Sequence, residues 1–395
     1  GKGKIEEVKE LLWELDATGI ICDDELSPAQ LKNLEDALDT KVMDRTMVIL
    51  DIFASRARTR EGKIQVELAQ LRYRAVRLVG LRNSLSRLGG GIGTRGPGEK
   101  KLEVDRRLIH ERISQLKSEL EDVKRHREVV RKKRENGGAL TAAIVGYTNA
   151  GKSTLLNRLT QAGILAEDKL FATLDPTTRA LTLPGGERIL LTDTVGFIRK
   201  LPHHLIEAFK STLEEAKYSD VILHVVDCSN PQMDMQMHVV YETLRQLEIT
   251  DKEIVTVFNK IDREGADTAG RDMAADYRVK ISAKTGEGLP DLLGVLETIL
   301  RSRRIYFEKV FSYAEAGRIQ RIRKNGRLLS EEYKEDGIHV TAYVPVELFE
   351  EFKAYLQRNN FKQKEFFLGC IQSALAEERD ADEASGSEPE PQKTD

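Results

Sequence analysis

The chain is poor in several features that would each point to a particular class of protein. Its 395 residues include only three cysteines and ten prolines, and aromatic residues make up 6% of them. Three scattered cysteines form neither a disulfide framework nor a paired metal motif, which indicates a reducing compartment. No stretch approaches the roughly 18 apolar residues that a membrane-spanning helix needs. We therefore expect a globular cytoplasmic protein, with a composition that is also compatible with transient membrane association.

Net charge is nearly absent as well, because 62 Lys and Arg stand against 65 Asp and Glu, a total of −3. That total alone argues against a nucleic-acid partner, but the charge is unevenly distributed. Residues 56–134 hold 23 basic and 10 acidic side chains, a local net of +13, whereas the last twenty residues carry −6. A basic segment of this size suits phosphate contacts, the alternative being a solvated coiled-coil surface. Tyr73 is its one aromatic residue, which favours structured RNA over stacked single strands.

Apolar periodicity divides the same basic segment into two long helices. Leucines and other apolar residues recur at three- and four-residue steps over 60–88 and again over 102–130. Between them lies a glycine-rich loop, so the segment predicts an antiparallel helical hairpin, the alternative being a simple spacer. Residues 91–96 match G-x-G-x-x-G, but they follow a helix rather than a strand, and the dinucleotide-binding interpretation therefore fails. With Arg95 near its tip, the loop suits close approach to a bulky anion.

A phosphate-binding motif begins the next region. Residues 146–153, GYTNAGKS, match G-x-x-x-x-G-K-[ST] directly after an apolar strand and directly before a helix. Glycines let backbone N–H groups surround phosphate oxygens at a helix N-terminus. Lys152 would reach the β- and γ-phosphates, and the Ser153 hydroxyl would bind Mg²⁺.

Three further motifs follow, each at the end of a predicted strand. Residues 193–196, DTVG, place an acid that can hold the metal through water and a glycine amide that can contact the γ-phosphate. Residues 259–262, NKID, place an aspartate that can accept both N–H groups of guanine, a pair that adenine lacks. Residues 282–284, SAK, would offer a backbone N–H to guanine O6. Four such elements in order predict a guanine-nucleotide site.

The stretch 171–178, FATLDPTT, lies between the first two motifs and suits a mobile switch. One of its threonines should complete the Mg²⁺ shell, but spacing does not choose among Thr173, Thr177 and Thr178. Phe197 occupies the position where rapidly hydrolysing GTPases often place a water-orienting glutamine. A phenyl ring neither donates nor accepts a hydrogen bond to water, so we expect slow intrinsic hydrolysis that depends on a partner.

The expected fold class is α/β: a P-loop GTPase domain with a mostly parallel sheet, flanked by other domains. The predicted boundaries are a partial N-terminal α/β domain (1–58), the helical hairpin (59–138), the GTPase domain (139–302), a small C-terminal α+β domain (303–368) and an acidic disordered tail (369–395). The chain opens in the middle of a strand–helix alternation, and we expect it to lack the front of its first domain.

These motifs resemble the HflX family of translational GTPases, in the Obg–HflX branch. The resemblance is carried by GTRGPGE at 93–99, FATLD at 171–175 and DTVGFI at 193–198, together with LSPAQ at 26–30 and QVELAQL at 65–71. It implies bacterial proteins that bind the 50S subunit and split or rescue stalled 70S ribosomes, with hydrolysis stimulated by the ribosome. It also implies that the glycine-rich loop lies against ribosomal RNA and that Thr173 is the switch ligand of Mg²⁺. The alternatives are a GTPase of ribosome assembly or RNA modification, and a signalling GTPase with a protein partner.

The expected cofactors are GTP or GDP and Mg²⁺, and the expected state is a monomer. We expect catalytic roles for Lys152, Thr173 and Gly196, Mg²⁺ ligands in Ser153 and Thr173, and RNA contacts from Arg95, Lys100, Lys101, Arg106 and Arg107. The residues expected to bind the nucleotide are Gly146, Tyr147, Thr148, Asn149, Ala150, Gly151, Lys152, Ser153, Thr154, Phe171, Ala172, Thr173, Leu174, Asp175, Asp193, Thr194, Val195, Gly196, Asn259, Lys260, Ile261, Asp262, Ser282, Ala283 and Lys284.

Overall fold

The structure is a computed structural model that describes residues 2–88, 97–135, 140–160, 171, 173–199, 213, 215–266, 270–345 and 348–352. It divides into two compact units, the first formed by residues 1–132, 140–182 and 188–292 and the second by 133–139, 183–187 and 293–395. The predicted acidic tail and the glycine-rich loop over 91–96 lie outside the described residues. Within the described part of the chain, no helix is long and apolar enough to cross a membrane.

The N-terminal elements form a small α/β arrangement around two parallel strands. They are α1 (Lys2–Glu14), β1 (Gly19–Cys22), α2 (Pro28–Leu38), β2 (Lys41–Asp44) and α3 (Arg45–Arg56), with β1 paired to β2. Ser27 followed by Pro28 predicts the N-cap and first turn of a helix, and α2 begins there, with Ser27 forming a capping box with Gln30. The apolar run at 19–22 predicts a short buried strand; β1 is present, but its predicted burial is wrong, because Ile21 is 65% exposed and none of the four residues is buried. Strand β2 was not predicted.

Two long helices follow, α4 (Arg60–Leu88) and α5 (Pro97–Glu135), which we call the arm. Their shared apolar seam contains Ile64, Leu68, Ile113 and Leu116. Glu67 pairs with Arg112 at 2.8 Å, and Glu61 pairs with Arg127 at 2.7 Å. Partners later in α5 therefore meet residues earlier in α4, which confirms the predicted antiparallel hairpin for the described residues.

The nucleotide-binding region is built on a six-stranded sheet in the order β4-β5-β3-β6-β7-β8. Its strands are β3 (Leu140–Gly146), β4 (Thr177–Thr182), β5 (Arg188–Asp193), β6 (Val221–Asp227), β7 (Glu253–Asn259) and β8 (Tyr277–Lys280). All neighbours are parallel except β4 and β5. Helices α6 (Lys152–Thr160) and α7 (Met233–Gln246) belong to the same region, and α8 (Leu289–Ser302) begins in the first unit and continues into the second. The mostly parallel α/β fold is thus confirmed, and parallel strands bring their C-terminal ends to one edge.

Strand β4 is not predicted from the sequence, and its first two residues, Thr177 and Thr178, lie in the stretch expected to form the switch. The burial pattern of β4 explains the omission: only Leu181 is buried, so the strand lacks the apolar run by which the central strands are recognised. Strand β6, by contrast, is buried at all seven positions.

The second unit contains a three-stranded antiparallel sheet in the order β10-β11-β9. Its elements are β9 (Arg304–Phe311), a short 3₁₀ turn (Tyr313–Glu315), α9 (Ala316–Asn325), β10 (Arg327–Lys334) and β11 (Gly337–Pro345). Phe307, Phe311 and Ile322 lie in its core. The sequence pattern predicts strands near 309–312 and 338–344, and the structure has a strand at each place, with longer bounds. Strand β10 is not predicted, because charged residues interrupt its apolar pattern.

One apolar core in the first unit joins the N-terminal elements, the arm and the sheet. It contains Phe53 of α3, Ala69 of α4 and Val145 of β3. Phe171 and Phe197, from the predicted switch and from the segment after the DTVG motif, are buried in the same cluster. Both segments that flank the nucleotide site therefore pack on the N-terminal elements.

Candidate nucleotide-binding site

The loop between β3 and α6 is shaped by two glycines that no other residue could replace without displacement. Gly146 has φ +154°, and a Cβ there would lie 2.3 Å from the Val225 carbonyl oxygen. Gly151 has φ +99°, and a Cβ there would lie 2.3 Å from Asn259 Nδ2. The first glycine lets β3 approach β6, and the second lets the loop approach β7, so the helix N-terminus of α6 faces the strand edge.

Lys152 is buried at the start of α6. Its Nζ donates to the backbone oxygens of Gly146 at 3.1 Å and Tyr147 at 2.9 Å. Burial lowers the pKa of Lys152 to about 8, although the nearby Asp193 carboxylate favours the charged form. A poorly solvated ammonium held by two carbonyls is ready to exchange them for phosphate oxygens, which would restore the lost stabilisation of its charge.

Three oxygen-bearing side chains converge beside Lys152. Ser153 Oγ donates to Asp193 Oδ2 at 2.7 Å, and Thr173 Oγ1 donates to the same oxygen at 2.9 Å. The two hydroxyls are 2.8 Å apart. Asp193 Oδ1 is buried and has no hydrogen-bond partner among the described residues. Burial raises the pKa of Asp193, against the opposing influence of Lys152 and the two hydroxyls.

This oxygen cluster fits Mg²⁺, which is bound by few protein oxygens together with water and substrate phosphates. A divalent cation would offset the burial of the Asp193 carboxylate and engage its unpartnered oxygen. Among the described residues no group of three or more His, Cys, Asp or Glu could hold a metal ion. The cluster thus fits a metal whose coordination the phosphates complete.

Asn259 connects three motifs at the other end of the site. Its Nδ2 donates to the Ala150 carbonyl at 2.8 Å, and its Oδ1 accepts the Ala283 amide at 2.9 Å. The Ala283 N–H is therefore directed to Asn259. The side chain of Asn259 fixes the phosphate loop relative to the ends of β7 and β8.

Asp262 occupies the position expected to recognise guanine. Its Oδ1 accepts the Ser282 hydroxyl at 2.6 Å, and this bond is the main reason why the pKa of Asp262 is lowered. A carboxylate that stays ionised can accept the paired N1–H and N2–H donors of guanine. Lys260 crosses the site, donating to the Asn149 carbonyl at 2.8 Å and to Asp227 Oδ2 at 2.6 Å.

The DTVG segment is held close to the phosphate loop. A Cβ at Gly196 would lie 2.8 Å from Thr148 Cα and 3.0 Å from Lys152 Nζ, so only glycine lets the backbone come this near. The Phe197 amide donates to the Gly146 carbonyl at 3.1 Å, and its own carbonyl accepts the Thr148 amide at 2.7 Å. The Phe197 ring is 2% exposed and belongs to the apolar core, and Phe197 is not among the residues that line the cavity at this site.

The structure separates the three candidate switch threonines. Thr173 lies against Ser153 and Asp193, whereas Thr177 and Thr178 lie in β4, where Thr178 Oγ1 and Thr192 Oγ1 are 2.9 Å apart. Thr173 is thus the one of the three that the structure places at the metal-type cluster. Ala172 lies outside the described residues.

A cavity of about 450 Å³ runs between these groups. The expected nucleotide-binding residues that line it are Thr148, Asn149, Gly151, Lys152, Ser153, Thr154, Phe171, Thr173, Thr194, Gly196, Asn259, Lys260, Asp262, Ala283 and Lys284. The expected residues that do not line it are Gly146, Tyr147, Ala150, Leu174, Asp175, Asp193, Val195, Ile261 and Ser282. Some residues that do not line the cavity hydrogen-bond to residues that do, as Ser282 does to Asp262.

Sequence reasoning missed Arg263, which lines the cavity, and Asp227, which pairs with Lys260. Asp227 could have been found, because it ends a predicted strand at the same sheet edge as the recognised motifs. Arg263 has no comparable signal beyond following Asp262 directly.

The residues expected to bind RNA are only partly described. Arg106 and Arg107 lie on α5 and are exposed. Lys100 and Lys101 lie in the same helix, but their side chains are outside the described part of the structure, as is Arg95. Arg112 and Arg127 of the arm instead pair with acids inside the first unit.

A buried lysine against the phosphate loop and a carboxylate suited to the guanine edge, on a mostly parallel sheet, define a P-loop GTPase. Comparison with known proteins gives the particular kind. Three family descriptions match in order: "GTP-binding GTPase N-terminal" over residues 1–54, "GTP-binding GTPase Middle Region" over 56–134 and "50S ribosome-binding GTPase" over 141–260.

Named relatives agree with these matches. GTPase HflX of Lacrimispora saccharolytica is 79% identical over 88% of this chain and 82% of that protein. GTPase HflX of Escherichia coli is 47% identical over 75% of this chain and 70% of that protein. A solved GTP-binding protein of Sulfolobus solfataricus in complex with GDP is 26% identical, covering 76% of this chain and 85% of that chain with a TM-score of 0.44. The chain belongs to the HflX family of GTPases: it binds GTP and GDP and hydrolyses GTP to GDP and phosphate.

Proposed function

We propose that this GTPase binds the 50S ribosomal subunit in its GTP state and splits or rescues stalled 70S ribosomes. Hydrolysis, stimulated by the ribosome, would control its release. The proposal is supported by the matched family described as a 50S ribosome-binding GTPase. The structural observation that carries it is the exposed basic surface of the arm.

The arm uses its positive charge in two ways. Arg112 makes two bonds to Glu67, at 2.8 and 3.1 Å, and Arg127 lies between Glu61 and Glu215. These arginines hold the hairpin together. Arg106 and Arg107, by contrast, are exposed near the end of the arm that leads to the glycine-rich loop. We infer that these two, with Lys100, Lys101 and Arg95, contact the phosphates of ribosomal RNA.

The roles at the nucleotide site follow from its geometry. Lys152 would bind the β- and γ-phosphates, Asp262 would select guanine, and the Gly196 amide would contact the γ-phosphate. Ser153 and Thr173 would hold Mg²⁺, with Asp193 behind them, and the metal would supply compensation for charge developing on the phosphates. We propose that the motif residues assigned from the sequence make the remaining nucleotide contacts.

The absence of a water-orienting side chain at Phe197 bears on the rate. Because this ring lies in the apolar core, nothing at that position can orient the attacking water unless the segment rearranges. We therefore infer slow hydrolysis by the isolated chain and acceleration when a partner reorganises the site. The ribosome is the partner that this proposal names.

The remaining proposals concern organisation. We propose the five segments with the boundaries given above, a monomeric state and a cytoplasmic location. Transient association with membranes stays a prediction.

Co-sedimentation with purified 50S and 70S particles tests the function, using GTP, a non-hydrolysable GTP analogue and GDP. We expect salt-sensitive binding to 50S with the analogue and splitting of 70S into subunits. The double variant Arg106→Ala/Arg107→Ala should bind more weakly, whereas Arg179→Ala/Arg188→Ala, which removes two exposed arginines from β4 and β5, should bind like the wild type. Absence of GTP-dependent 50S binding would eliminate the proposal.

Two other outcomes would identify the alternative functions. Binding to immature 50S particles without splitting of 70S would indicate a role in assembly or RNA modification. Capture of a protein partner with little dependence on salt, and no binding to ribosomes, would indicate signalling.

A further inference from the structure

The switch segment that carries Thr173 also makes a second contact, to the residues that begin α4. Asp175 Oδ2 accepts the backbone amides of Arg58 at 3.0 Å and Thr59 at 2.9 Å. Asp175 Oδ1 accepts the Thr59 hydroxyl. The Asp175 carboxylate therefore accepts the two backbone amides that directly precede α4, although they lie more than a hundred residues earlier in the chain.

The contact completes the N-terminal cap of α4. The Thr59 carbonyl accepts the Lys63 amide at 3.0 Å, and its hydroxyl oxygen accepts the Gly62 amide at 3.0 Å, so Thr59 is the N-cap residue. Because the Thr59 hydroxyl donates its hydrogen bond to Asp175, a lone pair of the hydroxyl oxygen remains free to accept the Gly62 amide. Its negative charge also lies at the positive end of the helix dipole.

Gly62 shows how closely the two segments are fitted. A Cβ at this position would lie 2.3 Å from Asp175 Oδ1 and 3.1 Å from its Cγ. Glycine is otherwise unfavourable within a helix, by about 1 kcal/mol relative to alanine. Its presence in the first turn of α4 is explained by the space that the Asp175 carboxylate needs.

The residues around Asp175 limit its independent movement. Leu174 and Phe171 are buried in the core of the first unit, and the Phe171 ring meets Phe53 of α3 edge-to-face with centroids 4.7 Å apart. Thr173 lies only two residues before Asp175, a span of about 7 Å at most. A displacement of Thr173 from Asp193 by several ångströms would therefore pull on Asp175.

We propose that Asp175 is a positioning residue, which holds Thr173 at the expected Mg²⁺ site by capping α4. Bound GTP and an ordered first turn of α4 then stabilise each other. Thr173 stands beside Ser153 and Asp193 while Asp175 caps α4, so one conformation satisfies both contacts. γ-Phosphate and metal contacts order such switch segments, and their loss releases them. Because coupling is reciprocal, the factor by which GTP stabilises the cap relative to GDP is also the factor by which the intact cap favours GTP over GDP, so removing the cap must lower that preference. The inference needs only the GTP-binding site and is independent of the ribosome.

This coupling is tested by the affinities of the full chain for GDP and for a non-hydrolysable GTP analogue plus Mg²⁺. Asp175→Ala should lower the ratio of analogue affinity to GDP affinity roughly tenfold. Asp175→Asn should lower it less, because its amide oxygen still accepts backbone N–H groups. Asp276→Asn is the matched control: it alters an exposed carboxylate that accepts one backbone amide, that of Ile254 at 2.8 Å, and should leave the ratio unchanged.

Gly62→Ala tests the same contact without touching the switch. This variant favours the helix intrinsically but forces the Asp175 carboxylate away, so the affinity ratio should fall although α4 stays helical. Gly294→Ala is its control, since that glycine lies in α8 with open space around its Cβ position. An unchanged ratio in Gly62→Ala would overturn the proposal even if Asp175→Ala does not fold.

Hydrogen exchange gives a readout that activity does not. The amides of Arg58, Thr59 and Gly62 should exchange roughly tenfold more slowly with the analogue than with GDP, and Asp175→Ala should remove this difference. Equal exchange of these amides in both nucleotide states of the wild type would contradict the proposal.

Discussion

The nucleotide site and the arm use cationic side chains in opposite ways. Lys152 is buried, donates to two carbonyls and has a lowered pKa, so a bound phosphate would stabilise a charge that water does not solvate. The Arg107 side chain is 73% exposed, and Glu111, 3.5 Å away, is its salt-bridge partner. A single buried cation interacts strongly with one anion in a fixed place. Exposed cations attract a polyanion through their total charge.

The difference also explains why the two regions are recognised differently in the sequence. Buried polar groups need fixed partners, so the residues around Lys152 occur at fixed spacing and form a motif. Exposed arginines tolerate many arrangements, so only their excess over acids is visible.

The largest effect should come from Lys152→Met. Removing the buried ammonium should lower kcat/KM for GTP on the order of a thousandfold, about 4 kcal/mol, because phosphate charge loses its nearest compensation. The free energy of unfolding should not fall, since the desolvation penalty of the charge disappears with it. Single-turnover hydrolysis and calorimetry measure the two quantities. Lys280→Met, at an exposed strand position, should change neither, and hydrolysis within tenfold of wild type would contradict the role of Lys152.

Phe197→Gln should destabilise the protein without accelerating hydrolysis. The substitution buries an amide in the apolar core, at an expected cost of about 3 kcal/mol in unfolding free energy. Denaturant unfolding and single-turnover hydrolysis in the absence of ribosomes measure the outcome. Ile198→Gln, at a half-buried neighbour, should cost less. A tenfold faster rate in Phe197→Gln would show that this position reaches the attacking water after all.

His224, on β6, should make stability depend on pH. Burial lowers its pKa to about 4, outweighing Asp272, whose Oδ2 lies 3.9 Å from His224 Nδ1 and favours the charged ring. In the unfolded chain the pKa of His224 is near 6.5. Between pH 4 and pH 6.5 the unfolded chain therefore binds more protons than the folded chain. Stability therefore falls as the pH is lowered from about 6.5 toward 4, by roughly 2 kcal/mol at pH 5 relative to pH 7.

Denaturant unfolding at pH 7 and pH 5 measures this loss, and its comparison between variants isolates the histidine. His224→Asn should show a smaller difference between the two pH values than the wild type, whereas His238→Asn, at an exposed position of α7, should retain the wild-type difference. An unchanged difference in His224→Asn would assign the pH dependence to other groups.

The smallest effects should come from the arm, one arginine at a time. Arg106→Ala or Arg107→Ala should weaken 50S binding severalfold, and each should reduce the slope of log affinity against log salt by about 1. Arg112→Ala should instead destabilise the hairpin, because that arginine is engaged by Glu67. Equal salt slopes in all three variants and the wild type would remove the distinction between structural and binding arginines.

Much of the architecture could be predicted from the sequence. The central strands were recognised because they are buried on both faces and form continuous apolar runs, and the hairpin because its seam repeats over many turns. Strands β4 and β10 were missed because each is partly exposed and carries polar residues that mask the pattern. Short or half-exposed strands depend on tertiary pairing more than on their own composition.

The site was predictable where chemistry fixes spacing, and less so where folding brings distant residues together. The structure brings Lys152 and Asp262 of the predicted motifs to one cavity, and it places Thr173, one of the three threonines that spacing leaves open, beside Asp193. The contacts of Asp175 with Arg58 and Thr59 join residues more than a hundred positions apart, and no local pattern announces them. Sequence spacing also gave no sign that the Ala283 amide is engaged by Asn259.

The proposed function requires that 50S binding to the arm accelerates hydrolysis at the nucleotide site. The effect of purified 50S subunits on the rate of GTP hydrolysis measures this link. Saturating 50S should raise the rate of the wild-type chain at least about tenfold. The Arg106→Ala/Arg107→Ala variant should keep the wild-type rate without ribosomes and require more 50S for half-maximal stimulation. A wild-type rate that is unaffected by 50S, or equal stimulation of both proteins at every 50S concentration, would contradict the account.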